Sequence, residues 1–330
     1  MVWRIHFTAE DLERIQVRPT LGPLAETVKA VGLLRCRQQP RASYKEWRGQ
    51  VKDRLTPQMT ALTALFPSGS KGVDLFMLTG AAPTMEQGIQ SLLAVPREHL
   101  LVEMEYVDRQ RKLPTAVWAF AETGGQARLQ LAAAAVAAHQ VLVEPYWNRI
   151  YACLHAEHVA RLRTLAADGP GGLLSSLQSQ WVRWRPPVLE VLVPVDYDVP
   201  LNGRGIALLP SVFVGQLPSL HTNPNDPTAV PWLVLPPTNG RTGLRDLWDN
   251  PRPQGVALAA LVGRNRAEVL RTIAEGCSTT ELAGRVGISL AAASQHASVL
   301  RDAGLITTHR QGSAVLHVLT PLGAELLQAG

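Results

Sequence analysis

Between Ser278 and Gly304 the chain carries two helix-length segments separated by a single glycine, and a serine opens each of them. Ser278 is placed to cap a short helix over 279–286, with Glu281 in its first turn. Gly287 supplies the sharp turn, Ser289 caps a second helix over 290–303, and Gly304 stops it. Two short helices joined across a glycine predict a helix-turn-helix. Helices over 256–262 and 264–275 precede it, the second with Val269, Leu270 and Ile273 inward. Beyond Gly304, β-prone runs at 305–310 and 313–319 flank Gln311-Gly312 and predict a hairpin, the natural wing of such a motif. Thr320-Pro321 then opens a last helix over 322–327.

This pattern divides the second helix into two faces. Ala293, Ala297 and Leu300 are expected inside. Ser294, Gln295, Ser298 and Arg301 fall outside and suit base edges and phosphates; Ser289 and His296 stand beside them. On the hairpin, His309, Arg310, Gln311 and Ser313 sit at the tip, within reach of a neighbouring backbone. Electrostatics temper the reading. Beyond residue 255 six arginines face five carboxylates, a net charge of only +1. Few phosphates can be neutralised per subunit, so useful affinity calls for a dimer.

The stretch STTELAGRVGISLAAASQHASVLRDAGLITTHRQGSAVLHVLTPLG resembles the winged helix-turn-helix of ArsR/SmtB-type bacterial regulators. Ser294-Gln295-His296, Val299-Leu300-Arg301 and Ala303-Gly304-Leu305 carry the resemblance, which covers about 256–328. It implies binding of double-stranded DNA and dimerisation. It does not imply metal sensing: the Cys-x-Cys box of the metal-sensing members is replaced by Thr280-Glu281-Leu282-Ala283-Gly284. The carboxylate-and-histidine pair of their last helix is missing too, and Cys277 alone cannot build a soft-metal site. Near the other end, RIHFTAEDLERIQV and GRGIALLPSVFVG resemble an uncharacterised domain that accompanies such winged helices in actinobacterial regulators.

The rest of the chain is of another kind. All 18 aromatic residues precede residue 255. The length of 330 residues suggests two domains, and 46% hydrophobic against 18% charged residues argues against wholesale disorder. The division expected is an effector-sensing or dimerising domain over 1–250 and a winged helix over 251–330. Thr8 to Asp11 and Thr84 to Gln87 read as capping boxes, and Pro145 should divide a long helical stretch over 126–167. Short apolar runs at 188–193, 206–214 and 230–235 read as strands, and 236–255 as a linker with a short helix around 244–248. The expected fold class is therefore α+β: a mostly helical N-terminal domain (helices over 1–180, a small antiparallel sheet over 181–240) followed by the winged helix-turn-helix.

Other motifs are weaker. His155-Ala156-Glu157-His158 could share a helical face, but no third ligand is evident, and no metal is expected. Ser68 to Gly72 lacks phosphate-loop spacing, and Gly203-Arg204-Gly205 reads as a turn. Ser211 lacks the glycines of a nucleophile elbow; Ser, His and Asp are scattered, so no catalytic constellation, enzyme activity or cofactor is expected. Most tryptophans suit core packing. Trp147, Trp181 and Trp184, with Arg183 between the last two, flank the helix-to-sheet transition, where a cleft for a small planar or acidic effector could open. Three distant cysteines, a charged N-terminus and no apolar run near ~18 residues fit a cytoplasmic, nucleoid-associated protein without a membrane span. The expectation is a homodimeric, sequence-specific transcriptional regulator on a pseudo-palindromic operator. An enzyme with a DNA-tethering module and a winged helix that docks on protein are the alternatives.

Overall fold

The computed structural model describes residues 2–35, 44–66, 72–110, 112–122, 125–193, 196–215, 217–223, 226–238, 247–248, 256–274, 276–311 and 314–329. Cys36, Ser313, residues 68–71 and most of the expected linker helix (244–246) lie outside them. The chain forms two compact units, Met1–Asp249 and Asn250–Gly330. The fold is mixed α+β. No helix among the described residues is long and apolar enough to cross a membrane.

The first unit opens with a strand, not a helix: β1 is Val2–His6 and, after the short helix α1 (Ala9–Glu13), β2 is Gln16–Val17. Strands β3 (Val182–Arg185), β4 (Val188–Leu192) and β5 (Tyr197–Pro200) join β1 in a sheet of order β3-β4-β1-β5. Strand β1 runs antiparallel to β4 and parallel to β5. Strands β6 (Ala207–Pro210), β7 (Ser219–His221) and β8 (Trp232–Leu235) join β2 in a second sheet of order β2-β6-β8-β7. There β2, β6 and β8 are parallel and only β7 is antiparallel. Two mixed sheets thus replace the single small antiparallel sheet expected, and the expectation of helix from residue 1 is corrected. The pairing energy of β1 comes from residues 188–200, which no local propensity registers. The run 206–214 is one strand followed by a turn at Val212–Val214. Glu26 accepts the Ser211 hydroxyl (3.0 Å) and the Phe213 N–H (3.3 Å) where the strand passes into this turn.

Local signals survive where they are self-contained. Thr8 and Asp11 form the capping box. Asp11 also accepts the Gly205 N–H at 2.9 Å, and Arg14 donates to the Gly203 carbonyl at 2.8 Å. The segment around Asp11 and the loop at 203–205 therefore meet each other. Burial pushes the Asp11 carboxyl up, but N–H donors from Thr8, Gly205 and Gly203 outweigh it and hold it below its usual range. Around the sheets lie helices α2 (Pro23–Arg35), α3 (Lys45–Val51), α4 (Thr60–Ala64), α5 (Leu75–Thr79), α6 (Met85–Ala94) and α7 (Arg97–Gln110). Next come α8 (Gln126–Leu142) and α9 (Trp147–Ser176), separated at Pro145 as the sequence predicts. Helix α9 outruns residue 167 and breaks at Gly169, where φ is 68°; Pro170 restarts it.

Alternation along the second sheet divides the unit's interior. Leu208, Leu220, Leu233 and Leu235 face a core shared with the first sheet, whereas Ala207, Leu209, Trp232 and Val234 face Leu21, Ala25 and Phe76. The helices enclose a third, larger core around Trp47, Tyr44, Phe213 and Trp248. Trp248, read from sequence as part of a linker, is fully buried there.

Candidate nucleic-acid interface

The second unit runs α10 (Val256–Val262), α11 (Arg264–Ile273), β9 (Cys277–Ser278), α12 (Thr279–Val286), α13 (Leu290–Asp302), β10 (Ile306–Gln311), β11 (Ala314–Leu319) and α14 (Pro321–Ala329). Its elements end where the sequence places caps. The Ser278 hydroxyl accepts the Glu281 N–H at 3.2 Å, and Glu281 accepts the Ser278 N–H at 2.8 Å. These hydrogen bonds, backbone first, hold the Glu281 carboxyl below its usual range. Gly287 closes α12 in the left-handed region (φ 70°, ψ 33°), where a side chain would be strained. Ser289 accepts the Ala292 N–H at 3.2 Å. Helices α12 and α13 thus meet across the three residues Gly287, Ile288 and Ser289.

Helix α13 buries Ala293, Ala297 and Leu300 against Leu270, Ile273 and Leu282. Ser294 and Gln295 are exposed; His296 and Ser298 are half-buried. Arg301 is exposed and donates to the Ser298 hydroxyl at 2.9 Å, so these two side chains act as one group. Ser289 is exposed with its oxygen committed to the cap. The hairpin pairs Ile306–Gln311 with Ala314–Leu319. His309 is exposed on it, its Nε2 3.3 Å from Thr307 Oγ1. Arg310 and Gln311 end β10, paired with Val315 and Ala314. The structure therefore gathers Ser294, Gln295, His296, Ser298 and Arg301 on one helix and sets His309 to Gln311 on the hairpin.

Three features escaped the sequence reading. Cys277 and Ser278 form a third strand, which fixes the hairpin to the start of α12. His317 is buried between Thr279 (2.9 Å to Nε2) and Thr308 (3.0 Å to Nδ1). Burial, and after it Arg301, lowers its pKa, so the neutral ring links hairpin to helix. Strict alternation through Val315, His317 and Leu319 was the signal for this inward histidine. Leu290, the first residue of α13, is 55% exposed, and Val299 is 40% exposed. Arg301 stands 3.8 Å from Asp302 at the end of the same helix.

The proposed effector residues belong to two packing clusters. Trp147 opens α9 against the helical core, with ring contacts to His139 (6.4 Å) and Tyr151 (6.2 Å). Trp181 and Trp184 lie against the sheet core, Trp184 edge-on to Phe7 at 5.3 Å. Arg183 is exposed and lies across the ladder from Glu190. Trp147 thus packs with the helical core, and Trp181 and Trp184 pack with the sheet core. His155 and His158 do neighbour each other, with ring centroids 6.5 Å apart. No group of three His, Cys, Asp or Glu is placed to hold a metal among the described residues.

A family model described as a helix-turn-helix domain matches residues 264–309, from the start of α11 into the hairpin. No curated protein and no solved structure matches the chain. The C-terminal unit is thus a helix-turn-helix domain, of the class that serves DNA-binding regulators in general.

Proposed function

We propose that the protein is a sequence-specific transcriptional regulator of the ArsR-like winged kind, without metal sensing. It binds a pseudo-palindromic operator as a homodimer. Helix α13 enters the major groove, with Ser294 and Gln295 at base edges and Arg301 held by Ser298 toward phosphate. The hairpin residues His309, Arg310 and Gln311 follow the adjacent backbone. The first unit carries the control, through a ligand or partner. The observation that supports this reading most is the division of α13: three small or apolar residues buried in the domain core, and an uncharged hydrogen-bonding face at Ser294 and Gln295 outside.

The test is selection of bound genomic fragments by the full chain at near-physiological salt. A palindromic site should be enriched, with half-sites about one helical turn or a multiple apart. On that site Q295A should lose about 1–3 kcal/mol and relax the preference at one base pair. R310A should weaken all sequences alike and flatten the salt dependence by about one ion. Exposed Leu290 and Val299 favour a second reading, a helix that docks on protein. No enriched fragment from folded protein, together with unchanged non-specific binding in Q295A, would favour that second reading.

A further inference from the structure

Folding gathers three of the scattered Ser, His and Asp residues at the edge of the second sheet. Ser219 and His221 are two apart on the edge strand β7, so both side chains leave the same face. Both are half-buried and within reach of solvent. Ser219 Oγ lies 2.8 Å from Nε2 of His221. Nδ1 of the same ring is hydrogen-bonded to the Asp74 carboxylate. Asp74 is itself anchored: it caps α5 by accepting the Met77 N–H at 3.4 Å, and its own N–H donates to Glu103 at 3.0 Å.

Chemistry fixes the direction of this chain. An ionised carboxylate only accepts, so Nδ1 carries a proton, and in the neutral ring Nε2 is the acceptor that faces the Ser219 hydroxyl. Burial raises the Asp74 pKa, but the His221 ring and the Lys29 ammonium outweigh it, and the carboxyl stays well below its usual range. Lys29 Nζ stands 3.5 Å from the same Nε2, which brings positive charge beside the hydroxyl. On the same face, Trp232 is the cross-strand partner of His221. Phe76 meets His221 edge-on at 5.8 Å and Trp232 at 4.6 Å. The neighbourhood is thus an apolar aromatic wall beside a nucleophile, a base and a cation.

We propose that Ser219 is a nucleophile that accepts small apolar acyl groups from carboxylic esters, with His221 as general base and Asp74 as the positioning residue. Ser219 Oγ attacks the carbonyl carbon while its proton passes to Nε2. The ester C–O bond breaks, and the leaving alkoxide takes that proton and departs as the alcohol. Water then attacks the acyl-serine and gives a proton to Nε2. Oγ leaves, recovers the proton, and the carboxylic acid is released. The Lys29 ammonium faces the charge that develops on the carbonyl oxygen. The reaction belongs to the first unit and is independent of the DNA-binding reading.

The full chain is treated with a fluorophosphonate probe, and the labelled peptide is located by mass spectrometry; release of nitrophenol from p-nitrophenyl acetate is followed in parallel. One label per chain on Ser219 is expected, absent in S219A and formed at least ~100-fold more slowly in H221Q. Circular dichroism melting shows whether each variant is folded. Absence of label on the folded wild-type chain, or label on a residue other than Ser219, would overturn the proposal. Should S219A fail to fold, the site of the wild-type label decides alone.

Discussion

In the C-terminal unit the ends of α12 and α13 are closed by residues three positions away: Ser278 with Glu281, and Ser289 with the Ala292 N–H. The N-terminal unit is joined by groups far apart in the chain. Strand β1 pairs with residues 188–200, Asp11 binds Gly205, Glu26 binds Ser211, and buried Glu157 accepts the Thr238 N–H at 3.1 Å. The first unit also buries ionisable groups: Glu26, Arg128, Glu157 and Arg161 are all nearly inaccessible. In the second unit His317 is the buried polar side chain, among the described residues. Local closure gives a small domain that is insensitive to most of its surroundings. Remote closure through ionisable groups gives one whose stability depends on pH and on whatever engages those groups.

The largest expected effect tests whether the units are energetically distinct. Trp47 is fully buried, donates to the Leu142 carbonyl at 2.9 Å and packs on Phe213 and Trp248. W47A should cost the first unit about 3–5 kcal/mol. Calorimetry should show its transition lowered while that of the winged unit stays; an equal fall of both would break the comparison. Glu26 comes next. Burial lifts its pKa from 4.5 to about 7, partly offset by Ser211, Phe213 and Lys29. A carboxyl raised by folding lends stability that is complete below pH 4.5 and lost as pH rises through 7. The loss over that window is of the order of 3 kcal/mol. Glutamine can still accept from Ser211 and Phe213, so E26Q should erase this component, read as the pH dependence of the denaturant midpoint relative to wild type. An unchanged difference between pH 4.5 and 7.5 would show that Glu26 is ionised in the fold. The smallest effect belongs to the locally closed unit. S278A removes one cap and should lower the stability of the winged unit alone by about 1 kcal/mol in urea titrations.

The same contrast explains what could be read in advance. The glycine at 287, the serines at 278 and 289 and the alternation after Gly304 state their own geometry, and the helices, turn and hairpin follow them. The outward side of α13 was legible for the same reason, because Ala293, Ala297 and Leu300 recur at helical spacing. Leu290 was passed over because an apolar residue at a helix start resembles a core position. In the first unit, VWRIH carries too short a pattern to declare a strand, and its partners lie in another part of the chain. Trp248 sits among prolines and glycines, so composition pointed to a linker although the side chain completes an aromatic core. The triad of Asp74, Ser219 and His221 was illegible because strand pairing and the α5 cap, not spacing, bring the residues together.

Strand β1 lies inside its sheet, between β4 and β5. A ribosome adding roughly 5–20 residues per second leaves residues 2–6 waiting about 10–40 s for the strands that flank them. During that interval a strand with both edges unpaired is exposed to solvent and to neighbouring chains. The first sheet can therefore close only after residues 188–200 have been made.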